Sequence, residues 1–241
     1  MISYENTSPE VAAAKPEIAL FPIGALEQHS SHLPLATDSI IAHHLSRLLA
    51  EKLNAFLLPV LPISNSQEHQ DFFGTVWIQP DTLARVITDV CAALKHHGFR
   101  KIVILSVHGG NWIIKPTVRR INLSDPDITV ITAPLEAGPM SPWSEPGQVH
   151  ACRNETSCIL HLHPDLVKAL PADFIPTVPR DYPDYVGMKG CTPTGVWGSP
   201  SAASPELGAK LLDQAADALA EHVRKTFDYI AHNRPGTRSP A

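Results

Sequence analysis

Residues 101–107 (KIVILSV) constrain this chain most, because an almost unbroken apolar, largely β-branched run flanked by helices reads as a strand covered on both faces. The segment before it, residues 80–97, places Leu83, Val86, Ile87, Val90 and Leu94 on one face at helical spacing. Asp81 stands in its first turn and Gly98 supplies the stop. Helix and buried strand in succession predict an α/β fold with a mainly parallel sheet. Further strands are expected at Ile18–Ile23 (IALFPI), at 128–133 (ITVITA) and at 55–63 (AFLLPVLPI), where prolines favour the ends or an edge. Helices are expected over 39–53, around Ile159, Leu160 and Leu162 up to Pro164, and from Pro205 to about Ile230. Residues 169–193 read as a proline- and aspartate-rich loop.

The 241 residues, 44% of them apolar, suffice for one sizeable core, so a single domain over 1–241 is expected, with a disordered tail at 232–241. A net charge of −5 leaves no basic face for nucleic acid and no polybasic membrane anchor. No apolar run approaches the roughly 20 residues that span a bilayer, and the first residues lack a secretion pattern. A cytoplasmic protein without nucleic-acid or membrane partners is therefore expected. Cys91, Cys152, Cys158 and Cys191 lack C-x-x-C spacing and are read as reduced thiols.

Chemistry concentrates just after the first strand. Glu27, His29, His32 and Asp38 fall within twelve residues, between the apolar run and an amphipathic one. Mixed nitrogen and oxygen donors suit zinc, manganese or iron, and residues two apart on extended chain, such as Glu27 and His29, point the same way. Asp38 precedes Ile40, Ile41, Leu45, Leu48, Leu49 and Leu53 at helical spacing, which makes it a candidate N-cap. The strand at 101–107 ends in His108-Gly109-Gly110-Asn111 at the sheet's carboxyl edge, where open α/β sheets bind ligands. There the glycines are expected to allow a tight turn, Asn111 to open the next helix and His108 to add a metal ligand. Neither phosphate-loop pattern is present. His150 and Glu155 stand five apart at the start of a helix, after an irregular loop at 134–148. Glu68 and His69, at the end of another strand, are candidates for contacts to substrate or to the ligands.

These motifs, E-Q-H-x-x-H-L-P-L-x-T-D from Glu27 to Asp38, H-G-G-N from His108, H-A-x-x-x-E-T-S from His150 and G-V-W-G-x-P from Gly195, closely resemble the creatininase family. The resemblance implies a single three-layer α/β/α domain, usually a homo-hexamer, and hydrolysis of amide C–N bonds at a two-metal centre. It implies Glu27, His29, Asp38, His108 and Glu155 as metal ligands, Asp38 as the bridge and His150 as the catalytic imidazole. Creatininase proper has Tyr-Glu after the strand-end histidine, and that glutamate binds metal. Gly109 and Gly110 stand here instead, which argues against creatinine as substrate and shifts the missing carboxylate onto Glu155.

The expected reaction is hydrolysis of a non-peptide or cyclic amide of a small molecule by a hydroxide shared between two divalent ions (Zn, Mn or Fe), with His150 protonating the leaving nitrogen. His32, Gly109, Gly110, Asn111 and Trp143 are expected to touch substrate or support the ligands, and Trp197, Tyr182, Tyr185, Arg153 and Arg180 to lie in loops suited to a pocket. Two rivals remain open: a metal-dependent lyase or isomerase on the same site, and a catalytically inactive binding module.

Overall fold

The computed structural model describes residues 1–135, 143 and 145–233. Five strands, β1 (Ile2–Ser3), β2 (Ile18–Ile23), β3 (Phe56–Leu57), β4 (Lys101–Ser106) and β5 (Thr129–Pro134), form one sheet in the order β1-β3-β2-β4-β5. All of their pairings are parallel, with Ile18 to Ile23 of β2 in register with Lys101 to Ser106 of β4. Around them lie α1 (Ser8–Ala14), α2 (Thr37–Leu53), α3 (Pro80–His96), α4 (Ile114–Ser124), α5 (Arg153–Leu162), α6 (Pro183–Cys191) and α7 (Pro205–Asn233).

Alternation along β4 explains the three layers. Val103 and Leu105 join the cluster built with Leu45 and Leu49 of α2, Ile159 of α5 and Leu212, Leu219 and Val223 of α7. Ile102 and Ile104 face the opposite cluster, with Leu83, Ile87 and Leu94 of α3 and Val118 and Ile121 of α4. Burial of each such Leu or Ile contributes about 1.5–3 kcal/mol, so helices on both faces are a requirement of this strand. Because every strand runs the same way, the connections after β2, β3, β4 and β5 all leave from one edge.

Several expectations are corrected here. The strand at 55–63 shrinks to Phe56–Leu57 plus one bridge between Leu61 and Ile23, since Pro59 and Pro62 have no N–H to donate. The loop expected over 169–193 contains α6, which begins at Pro183 and bends at Gly187. Asp38 is not the N-cap of α2. Ala36 holds that position, with no side-chain cap, and Asp38 sits in the first turn with its side chain buried. Asn111 does not open α4 directly, although its carbonyl accepts the Ile114 N–H at 3.1 Å, on the helix's first turn. The last helix runs to Asn233, so residues 232 and 233 of the expected tail are helical, and 234–241 lie outside the described residues. Most of the irregular loop, 136–142 and 144, also lies outside them.

Candidate metal centre

Three connections from the shared edge deliver the donors. Glu27 and His29 come from the segment after β2, Asp38 from the first turn of α2, His108 from the end of β4, and His150 and Glu155 from the approach to α5. Asp38 lies with its two oxygens toward different imidazoles, Oδ1 3.7 Å from His29 Nε2 and Oδ2 3.6 Å from His108 Nδ1. Glu155 Oε1 is 3.8 Å from His29 Nε2, while its Oε2 accepts the Cys152 N–H at 3.3 Å, an N-terminal cap that fixes the carboxylate. Glu27 Oε1 lies 3.5 Å from His150 Nδ1 and 3.7 Å from His69 Nε2, and its Oε2 lies 3.1 Å from His108 Nε2.

These groups are withdrawn from water. Glu27, His29, Asp38, His108 and His150 are all buried, and both Glu27 oxygens, His29 Nε2 and Asp38 Oδ2 have no hydrogen-bond partner among the described residues. Unsatisfied buried donors and acceptors are costly, typically about 1–3 kcal/mol each, and more for charged groups. Burial pushes the Glu27 carboxyl up to about 7, whereas Asp38, despite burial, is held down to about 2 by the His29 charge. Burial alone would lower His29, but Asp38 and Glu155 hold it well above the ordinary imidazole range, and Glu27 and Glu68 act likewise on His108. The carboxylates therefore demand positive charge. A donor set of mixed imidazole and carboxylate, orphaned and mutually within reach, fits divalent ions in that place.

His150 is of a different kind. Burial, then the His29 charge, hold it down to about 4, and its Nε2 lies 2.7 Å from the Gln28 carbonyl and 3.0 Å from Gln28 Nε2. Gln28 also reaches His69 Nδ1 at 2.8 Å, so one amide positions two rings. Sequence reasoning passed over Gln28. Its placement between Glu27 and His29, on the opposite face of an extended segment, was the available signal.

The centre floors a cavity of about 240 Å³ lined by Glu68, Gly109, Gly110, Trp112, Trp143, Arg180 and Met188 among others. Gly109, Gly110 and Trp143, expected to touch substrate or support the ligands, are thus part of its lining. His32 and Asn111 do not line this cavity. His32 is fully buried with Nε2 2.9 Å from Thr156 Oγ1, and Asn111 accepts the Asn65 N–H at 3.1 Å. Cys152 is a buried residue that also touches the cavity wall. Of the other loop residues, Arg180 lines the cavity, whereas Trp197 is buried beside His150 in a backbone bridge, Tyr182 and Tyr185 are exposed, and Arg153 pairs with Glu145. The four cysteines are free, and no described helix is long and apolar enough to cross a membrane.

Fold and site define a class, parallel α/β proteins that gather carboxylates and imidazoles at the sheet's carboxyl edge. The family model for creatinine amidohydrolase matches residues 4–223, and the chain belongs to the creatininase family. It is 28% identical over 239 residues to a mycofactocin precursor peptide peptidase of Mycobacterium ulcerans (strain Agy99), covering 91% of this chain and 89% of that one. It is 26% identical over 235 residues to a creatinine amidohydrolase of Pseudomonas putida, covering 87% and 90%. Among solved structures, a mutant creatininase complexed with creatine superposes with a TM-score of 0.78 at 26% identity, covering 94% of this chain and 98% of that one.

Proposed function

We propose that the chain is a metal-dependent amidohydrolase, a single catalytic domain in which Glu27, His29, Asp38, His108 and Glu155 hold two divalent ions, zinc, manganese or iron. The substrate in this reading is a small molecule with a non-peptide or cyclic amide, other than creatinine. The observation that carries the reading is Asp38, whose two oxygens address separate imidazoles at 3.7 Å and 3.6 Å, a placement from which one carboxylate would serve two cations. Ions bound there supply Lewis acidity and lower the pKa of water from ~16 towards ~7.

The chain's own residues do the rest. His150, with Nε2 held by Gln28, turns Nδ1 into the site and is neutral near pH 7, because its pKa lies at about 4. A neutral imidazole accepts a proton from the attacking water and passes it to the leaving nitrogen. Val107, Leu135 and Met188 on the cavity wall limit water, and Trp143 and Arg180 offer a flat face and a cation to a planar substrate. Gly109 and Gly110, where creatininase proper has Tyr-Glu, support a substrate other than creatinine. A second reading, hydrolysis of a peptide bond, is favoured by the peptidase name of the Mycobacterium relative.

The test combines elemental analysis with a panel of cyclic amides, formamides and short peptides in ¹⁸O-labelled water. Two metal equivalents, chelator-sensitive turnover and one labelled oxygen in the product are expected, and unlabelled product points to a lyase or isomerase instead. Asp38→Ala should lose metal, while His150→Ala should keep it and slow turnover by about 10²–10⁴. Full metal in the Asp38 variant contradicts the bridge, and no turnover across the panel favours a binding module.

A further inference from the structure

Glu68 is a nearly buried carboxylate beside the centre to which the reaction above gives no task. A Cβ built on Gly110 would lie 1.8 Å from Glu68 Oε1, 2.4 Å from His108 Nε2 and 2.7 Å from Glu68 Cδ, so the carboxylate and the ring it meets fill the space that a side chain at 110 needs. The backbone of Gly110 has no positive φ, so it is these two neighbours, as they are placed here, and not the turn expected from the sequence, that favour glycine there. Glu68 arrives from a separate segment, the short turn Gln67–His69, and its side chain is 17% exposed.

Its target is His108. Glu68 Oε1 lies 3.2 Å from His108 Nε2, and the same nitrogen lies 2.9 Å from the Asn65 carbonyl. A carbonyl only accepts, so the hydrogen-bond network assigns the proton to Nε2 and leaves the Nδ1 lone pair on the side of Asp38 Oδ2. Glu27 Oε2 approaches Nε2 as well, but the proposed centre already uses that carboxylate. Asn65 is tied to the glycine loop in turn, through Asn65 Nδ2 donating to the Gly110 carbonyl at 2.9 Å and its N–H donating to Asn111 Oδ1 at 3.1 Å. Carbonyl and carboxylate are thus held together behind one ring. An imidazole whose far N–H meets such partners is fixed in tautomer and orientation and becomes a stronger metal donor.

We propose that Glu68 is a positioning residue: with the Asn65 carbonyl it holds His108 so that Nδ1 faces the cation site, and position 110 is glycine to admit it. The proposal rests on the metal-centre reading above. It is tested on the binding of metal, independently of turnover. Chelator-stripped wild type, Glu68→Gln, His108→Ala and the double variant are titrated with Mn²⁺ and with Zn²⁺ by calorimetry. Glu68→Gln should weaken one of two equivalents about 10–100-fold, leave the stripped protein's melting near wild type, and add nothing in the His108→Ala background. Glu68→Ala, lacking charge and volume, should give the same loss, so a packing fault peculiar to glutamine does not decide the result. Unchanged binding of both equivalents in Glu68→Gln and Glu68→Ala overturns the proposal alone, as does a further loss in the double variant, which makes Glu68 act independently of His108. A wild type that binds neither cation overturns the proposed function along with it.

Discussion

At the scale of single residues, burial beside the centre sets the cost of the titratable groups packed against it. His32 illustrates it: buried against Thr156 and under the charge of His29, it is held down to about 4 by burial first and by that charge second. Its neutral form is the one the fold accepts. An imidazole whose folded pKa is depressed favours unfolding once the unfolded chain takes up a proton, so this contribution is intact above about pH 6.5 and is lost as pH falls toward 4. His32→Gln should therefore narrow its stability gap to wild type in acid, read from urea midpoints of stripped protein between pH 4 and 7. A gap independent of pH goes against this account. Much at this scale was legible. Glu27, His29, Asp38, His108, His150 and Glu155 announce themselves because donors crowd the ends of apolar runs, and the structure brings them together. The surroundings of Glu68 were not, because they depend on the absence of a Cβ at Gly110, some forty residues away along the chain. Asp38 misled as an N-cap since the same residue type serves both purposes, and only the burial of its carboxylate separates them.

Among elements, the pairing of α5 with α7 matters most to the centre. A Cβ on Gly208 would lie 2.0 Å from the Ser157 carbonyl oxygen, so the two helices touch backbone to backbone two residues from Glu155. Gly208→Ala should force them apart, with about 1–3 kcal/mol of overpacking strain. Since Glu155 rides on α5, the same variant should weaken metal binding although it touches no donor. Chemical denaturation and metal titration check both, and wild-type stability with wild-type affinity contradicts the helix contact. Strands β2 and β4 and helices α2, α3 and α7 were readable, as each carries a long, consistent apolar pattern. The two residues of β1 leave no periodicity to read, β3 reads too long because apolar residues run on past its prolines, and α6, with Gly187 inside it, looks like the loops around it.

For the whole molecule, the balance is electrostatic. A buried centre of four carboxylates, Glu27, Asp38, Glu68 and Glu155, is tolerated only beside enough positive charge. Bound ions should stabilise the fold by about 2.7 kcal/mol each at free concentrations about 100 times Kd. Melting with and without chelator reads this directly, and identical curves argue against the centre. The parallel order of the sheet was legible from β-branched runs alternating with helices, whereas the partner of each strand was not, since order depends on packing across distant segments. That arrangement also has a temporal side. His29 and Asp38 are made well before Glu155, and α7, which braces the helix of Glu155, follows later still. A growing polypeptide would therefore hold an incomplete set of donors until α5 and the helix that braces it had followed the first of them, so any cation the site takes would be captured late in the making of this segment.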